Sequence, residues 1–480
     1  MFWGDKIVQQ IEKAYAKKIL AGKTLIIRDE KTISGEVHVG SLRGVAIHGL
    51  IHELLKEKGI KVKYLFELND YDPFDDIPDY IDKKKYKEEL GKLLVNVPAP
   101  DGKAKNYAEY FIPNFTAAIK KTAFAPTYYR SSKIYKKGEY DKYVELALAH
   151  ENEIRDIYKR VAGSEKEAGW LKKTVKENGK LPWKVEWAAK FSLFKVDIEG
   201  GGKDHSTKGG SREVSNTIAR EVFNYQPPFD IPYNFFVLSG KKMSSSKGLG
   251  VSALELAELL PTPLLRLLLI QKQPKHELDF DPAGDTIPNL YDEYDRLAEA
   301  YFSDKKDDFA RLFELTHLDK KIIKRFLPRF SQIAYLSQMP HIDLEKEVAS
   351  MKGSKLTKDD LTELKLRKDY AQLWLEKYGP DKYQLNIQAE LPATAKDFGP
   401  KIKSAFVRLL DYVEKQKKLN GQELHYQLHE IRKSSELEPK EFFSSLYTII
   451  LDKDSGPKAG WFLTVLDKKF LEGRLKEAIK

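Results

Sequence analysis

A strand, loop, helix and strand near the amino end constrain this chain most. Residues 24–28 (TLIIR) read as a short buried strand. After Ser41, apolar residues recur at helical spacing through Leu42, Ala46, Leu50 and Leu54 until Gly59 stops them. Val62, Tyr64, Phe66 and Leu68 then alternate with Lys and Glu, as a half-buried strand does. So long a helical connection implies a right-handed parallel crossover, the start of an α/β nucleotide-binding domain. Residues 79–183 are charge-rich and mostly helical in pattern, with a loop at 97–102, and read as an insertion. The α/β pattern resumes with a strand at 194–198, a tight loop at Gly200-Gly201-Gly202, a helix at 213–223 and a strand at 233–238. Beyond Ser252 strand signals fade and helices dominate, broken near Pro261-Thr262-Pro263, Pro274, Gly353 and Gly456-Pro457. The expected organisation is an α/β domain over residues 1–250, a connecting helical stem over 251–300 and an all-α region over 301–480.

Composition narrows the chemistry. The 480 residues include no cysteine, which removes disulfides, thiolate nucleophiles, iron–sulfur clusters and cysteine zinc sites. Lys and Arg number 82 against 72 Asp and Glu, a net charge of +10. The excess leans toward residues 301–480 and favours a polyanionic partner. The amino terminus is too charged for a signal peptide, and no run of about 18 apolar residues occurs, so a cytoplasmic protein without membrane contact is expected.

Three segments carry chemistry. Ser34-Gly35-Glu36-Val37-His38-Val39-Gly40-Ser41 lies between the first strand and its helix. There a phosphate would meet free backbone N–H groups, Gly40 would allow close approach, and His38 could donate to phosphate oxygens. Lys241-Lys242-Met243-Ser244-Ser245-Ser246-Lys247-Gly248 follows a strand and offers mobile cations and hydroxyls suited to a loop closing over a triphosphate. In Gly201-Gly202-Lys203-Asp204-His205, the glycines let a base or ribose approach the backbone and Asp204 can accept from ribose hydroxyls. Taken singly, each also fits a bland reading: a turn whose glycines serve positive φ, a solvated Lys/Ser loop, a Gly-rich turn. Two histidine pairs, His48/His52 and His425/His429, have i, i+4 spacing, but without a third ligand they read as packed or surface positions, and no metal is assigned.

In this order the three segments resemble the HIGH, Gly-x-Asp and KMSKS elements of class I aminoacyl-tRNA synthetases. The text between them resembles the class I lysyl-tRNA synthetases: Asn69-Asp70-Tyr71-Asp72-Pro73-Phe74, Asn106-Tyr107-Ala108-Glu109-Tyr110-Phe111, Gly209-Gly210-Ser211, Tyr291-Asp292-Glu293-Tyr294-Asp295-Arg296 and Asp454-Ser455-Gly456-Pro457-Lys458-Ala459-Gly460-Trp461-Phe462. The resemblance spans nearly the whole chain. It implies a Rossmann-like parallel-sheet catalytic domain with a helical insertion, followed by an all-α anticodon-binding region. It further implies ATP-dependent activation of lysine and transfer to tRNA(Lys), with magnesium arriving on ATP and no structural zinc.

By that resemblance His38, Lys242, Ser244 and Lys247 neutralise charge on the phosphates. Ser34, Gly35, Gly40, Ser41, Gly202, Asp204 and Met243 bind ATP, and Thr32, Trp187, His205 and Tyr233 bind lysine. Charge alone adds Asp70, Glu30 and Asp72 as lysine-binding partners for the ε-ammonium, while Trp187 also reads as core and Asp70 or Asp72 as a cap. The chain departs from the family where Ser41 replaces a histidine, where Ser245 replaces a lysine that Lys247 could offset, and in the charged run at 28–33. Anticodon bases would stack on aromatic residues such as Trp374, Tyr378, Tyr383, Trp461 or Phe462. Two alternatives stand beside this reading: a glutamyl-tRNA synthetase, for which Arg28 could greet a carboxylate, and a catalytically silent tRNA-binding paralogue.

Overall fold

The computed structural model describes residues 1–164, 171–238, 241–242, 252–303, 307–318, 321–339, 342–395 and 397–480. Strand β1 (Leu25–Thr32) is the centre of a five-stranded parallel sheet. It pairs with β2 (Val62–Asn69) along its whole length, from Leu25 against Val62 to Thr32 against Asn69. On its other side Ile27 pairs with Ile198 of β4 (Ile198–Gly202). With β3 (Thr127–Arg130) beyond β2 and β5 (Phe229–Tyr233) beyond β4, the order is β3-β2-β1-β4-β5. The order reverses between β1 and β4, and in open parallel sheets ligands bind in the crevice beyond the carboxyl ends at that switch.

The crossover helix Ser41–Glu57 forms where the sequence predicts it. Leu42, Val45, Ala46, Ile47, Leu50, Ile51, Leu54 and Leu55 bury almost all round its axis, as befits a helix enclosed on all sides. Other boundaries differ from expectation for identifiable reasons. Phe194 ends the helix Trp183–Phe194, and Lys195 closes it at φ 53°. Strand β4 therefore begins at Ile198, where the periodicity would have ended it, and the glycine run completes this strand rather than a loop. A Cβ on Gly200 would lie 2.3 Å from the carbonyl oxygen of Ile231, so β4 and β5 can pair at this distance only with glycine there.

Residues 233–238 divide. Tyr233 ends β5, and β6 (Phe236–Leu238) joins a small sheet, antiparallel to β7 (Lys241–Lys242) and parallel to β8 (Leu278–Phe280). The segment read as a helical insertion contains helices such as Tyr107–Lys121 and Glu151–Ala162 but also supplies β3. Four residues at a sheet edge carry too little alternation to announce a strand.

The chain divides into two compact units, residues 1–281 with 296–322, and residues 282–295 with 323–480. The second is helical, its core built from Phe406, Leu409, Leu424, Leu428, Phe442, Ile450 and Phe462 among others. Within it, buried Arg367 pairs with Glu363 at 2.8 Å and donates to the Pro328 carbonyl at 2.8 Å. Trp374 is wholly buried and donates to the Pro282 carbonyl at 2.7 Å. Trp374 and Phe462 are thus core residues, whereas Trp461, Tyr378 and Tyr383 keep some surface. Among the described residues, no helix is long and apolar enough to cross a membrane.

Candidate active site

A cleft of about 390 Å³ opens at the carboxyl ends of β1, β4 and β5. His38, Gly40 and Ser41 line it from the helix start, Gly202, Asp204 and His205 from the turn after β4, and Tyr233 from the end of β5. Trp187 lines it from the helix Trp183–Phe194. These residues, singled out from sequence and drawn from segments far apart in the chain, therefore share one cavity, and Gly201 and Glu30 share it too.

The His38 loop is shaped by close packing and not by positive φ. Gly40 has φ −55°, yet a Cβ there would lie 2.7 Å from His38 Cε1, and one on Gly35 would lie 2.6 Å from the Tyr80 hydroxyl. The Gly40 N–H donates to His38 Nδ1 at 3.0 Å. That acceptor role leaves the ring proton on Nε2, the atom able to donate to a phosphate oxygen. Both described ends of the Lys/Ser loop lie beside this loop. Ser252 forms a β-bridge with His38, Ala253 N–H donates to the Val37 carbonyl at 2.8 Å, and on the other end Phe236, in β6, lines the cleft. Met243, Ser244 and Lys247 fall outside the described residues, and of Lys242 the backbone alone is described, paired with Val237.

The far wall is aromatic. The His205 ring meets the edges of Trp183 and Trp187 at centroid distances of 5.7 Å each. Trp187 is both wall and core: it is 6% exposed and its indole N–H donates to Glu199. Tyr233 packs its hydroxyl against Gly44, where a Cβ would lie 2.7 Å away. Burial raises its pKa well above the ordinary phenol value, so it stays a neutral donor.

Beneath this wall lies a network of buried charges. Arg28, fully buried, pairs with Glu30, with Glu67 and, at 2.9 Å, with Glu199. Lys190 pairs with Glu30 at 2.7 Å and Glu67 at 2.9 Å, and Lys180 with Asp72 at 2.8 Å and Glu186 at 2.6 Å. Burial alone would raise the Glu67 carboxyl, but Lys190 and Arg28 hold it well below the usual carboxylate range. Burial is likewise outweighed at Asp72, which Lys180 and Lys190 keep low.

This network sorts the acidic candidates. Asp72 accepts from Thr32 Oγ1 at 2.6 Å and from Asn69 at 2.9 Å, so Thr32 and Asp72 engage each other beneath the cleft rather than lining it. Asp70 is 3% exposed and accepts from the Ser132 backbone N–H at 2.9 Å and hydroxyl at 2.7 Å, also away from the cleft lining. Glu30, whose side chain is 32% exposed, is the one of the three on the cleft. Ser34 and Gly35 sit before the loop's apex, Ser34 accepting from the Tyr107 hydroxyl at 3.2 Å, and neither is on the lining. Sequence reasoning did not single out Asp29, Lys31 or Glu199 as lining residues, although alternation along β1 and β4 was the signal for which face each occupies. Among the described residues, no group of three or more His, Asp and Glu side chains is arranged to hold a metal ion. His48 instead accepts from the Gly200 N–H at 2.7 Å, inside the core.

The family model described as tRNA synthetases class I (K) matches residues 1–176 and 171–320. A lysine–tRNA ligase from Methanosarcina barkeri is 29% identical across 99% of this chain and 97% of its own length. One from Thermococcus kodakarensis is 28% identical across 99% of each. Among solved structures, a glutamate tRNA ligase from Elizabethkingia meningosepticum, with its amino acid bound, superposes with a TM-score of 0.43 at 12% identity, covering 95% of this chain and 99% of that one.

Proposed function

The chain belongs to the class I tRNA synthetases designated K, and on that premise we propose that its cleft carries out lysine–tRNA ligase chemistry in the cytoplasm. The lysine carboxylate attacks the α-phosphorus of ATP in line. The bond from the α-phosphorus to the α,β-bridging oxygen breaks, pyrophosphate leaves with that oxygen, and lysyl-adenylate remains. A hydroxyl of the terminal ribose of tRNA(Lys) then attacks the lysyl carbonyl and releases AMP. Magnesium arrives with ATP and balances phosphate charge.

The protein positions reactants and meets charge as it builds. His38 Nε2–H faces the phosphates, held in place because the Gly40 and Ser41 N–H groups donate to His38 Nδ1 and to its carbonyl. The Ser41 hydroxyl stands beside it, and Ser34 and Gly35 shape the turn that presents them. Lys242, Met243, Ser244 and Lys247 approach from the loop whose ends flank His38. Gly202 and Asp204 take the adenosine ribose. Trp187, His205 and Tyr233 enclose the lysine side chain, with Glu30 as the ammonium partner and Thr32, Asp70 and Asp72 bracing the floor. Of the five aromatic candidates named above, Tyr378, Tyr383 and Trp461 have surface left for anticodon bases, and tRNA affinity falls as salt rises.

The convergence of His38, Gly202, Asp204 and Trp187 on one cleft at the sheet's switch point carries this reading. Pyrophosphate exchange into ATP tests it, run with single amino acids. Lysine-dependent exchange supports it. Glutamate-dependent exchange, or tRNA binding with no exchange, overturns it.

A further inference from the structure

The cations around the cleft are unequally occupied. Arg28 and Lys190 are each held by buried carboxylates, and Arg212 donates to the Glu199 carbonyl at 3.0 Å. Lys31 differs: it lines the same cleft, and among the described residues no carboxylate lies within 4 Å of its ammonium and no acceptor within hydrogen-bond reach. Asp29, the nearest acid along its strand face, is otherwise engaged. Its carboxylate takes the Glu30 N–H at 2.8 Å, faces His48 Nδ1 at 3.2 Å and accepts from Tyr64 at 3.4 Å. Desolvation lowers the Lys31 pKa from the usual lysine value, with Asp29 opposing it in part. A cation kept in a cleft without a partner calls for an anion from outside.

Its position says where that anion lies. Side chains two residues apart share a strand face, so Lys31 stands with Asp29 on the side facing the helix Ser41–Glu57. Asp29 lies level with Gly44, whose Cβ position is 3.0 Å from Asp29 Oδ2. Two residues further along β1 is about 7 Å. Four residues back along the chain from Gly44, about one helical turn, is Gly40. The strand and helix run in opposite directions, so both steps lead to the same end, where Gly40 and Ser41 also line the cleft.

We propose that Lys31 is a phosphate-binding catalytic residue whose ammonium meets the α-phosphate oxygens of ATP beside His38 and neutralises charge there as the lysine carboxylate attacks. This rests on the activity proposed above. It gives the cleft a fixed cation on the side where Ser41 brings a hydroxyl.

Lys31→Met and Lys31→Arg, made in the full chain, test it through binding of Mg-ATP and of adenosine, through exchange kinetics and through thermal unfolding. Lys31→Met is expected to weaken ATP at least tenfold, leave adenosine unchanged, and slow exchange by about 10²–10³-fold, the loss typical of one preorganised donor. Because the charge is unpaired in the free protein, the unfolding midpoint stays or rises, and Lys31→Arg recovers part of the ATP affinity. Unchanged ATP affinity and exchange overturn the proposal, as does a rise confined to the KM for lysine, which places the cation at the amino-acid carboxylate. A fall in the midpoint matching the loss of activity, unrescued by arginine, overturns it as well. If the unaltered protein gives no lysine-dependent exchange, the activity assignment fails on its own, and the ATP-to-adenosine comparison still decides Lys31.

Discussion

Replacing Arg28 with methionine removes one guanidinium from the midst of three carboxylates while nearly keeping the side chain's bulk. Arg28 has no exposed surface, Glu67 none, and Glu199 about 3%, so water cannot take over the bonds these two carboxylates lose, whereas Glu30, 32% exposed on the cleft, can be hydrated. Lys190 still reaches Glu30 and Glu67, at 2.7 and 2.9 Å, but Glu199 is left with the Trp187 indole and with Arg212 at 3.5 Å. Breaking a buried pair by deleting one partner costs about 3–5 kcal/mol, because an uncompensated charge stays behind. With a urea m-value of about 3 kcal/mol/M for a unit of this size, the unfolding midpoint falls by about 1–1.7 M. Fluorescence of Trp183 and Trp187, beside the network, follows the transition. A midpoint equal to or above that of the unaltered protein would refute the claim that Arg28 balances these carboxylates.

His38→Ala should lower lysine-dependent pyrophosphate exchange by about 10²–10³-fold with an unchanged unfolding midpoint, since the side chain is a half-buried donor at the cleft. Gly44→Ala drives a methyl to within 2.7 Å of the Tyr233 hydroxyl and should raise the KM for lysine more than that for ATP in steady-state kinetics. Glu67 has a folded pKa held well below its unfolded value of about 4.3, so its stabilisation is full above that value and is lost as pH falls through the folded one. The deficit of Glu67→Gln, measured by urea unfolding, should therefore be largest near pH 7 and shrink below about pH 4. A deficit that is constant with pH contradicts the pairing.

The crossover unit was legible because its two periodicities, 2 and 3.6, follow directly from which faces are buried. The chemistry-bearing loops were legible by their order along the chain. What lay hidden depends on partners distant in sequence. Gly200 reads as a loop residue until the Ile231 carbonyl is seen against it, and β3 reads as part of a helical stretch until it pairs with β2. Resemblance pointed to Trp187, His205 and Tyr233, and spacing alone could not. Periodicity assigns Trp187 to a buried face but is silent on whether that face also borders a cavity. Charge counting proposed Glu30, Asp70 and Asp72 alike. It took Ser132, Thr32 and Lys180 to show that two of these already have partners.

A crystal structure of the full chain with a non-hydrolysable lysyl-adenylate analogue tests the central claim most directly. The phosphate linker should lie against His38 Nε2 at the helix start beside Gly40 and Ser41, the ribose at Gly202 and Asp204, and the ε-ammonium beside Glu30 within the Trp187–His205 wall. An analogue bound outside this cleft, or one whose linker touches neither His38 nor the helix start, would contradict the account.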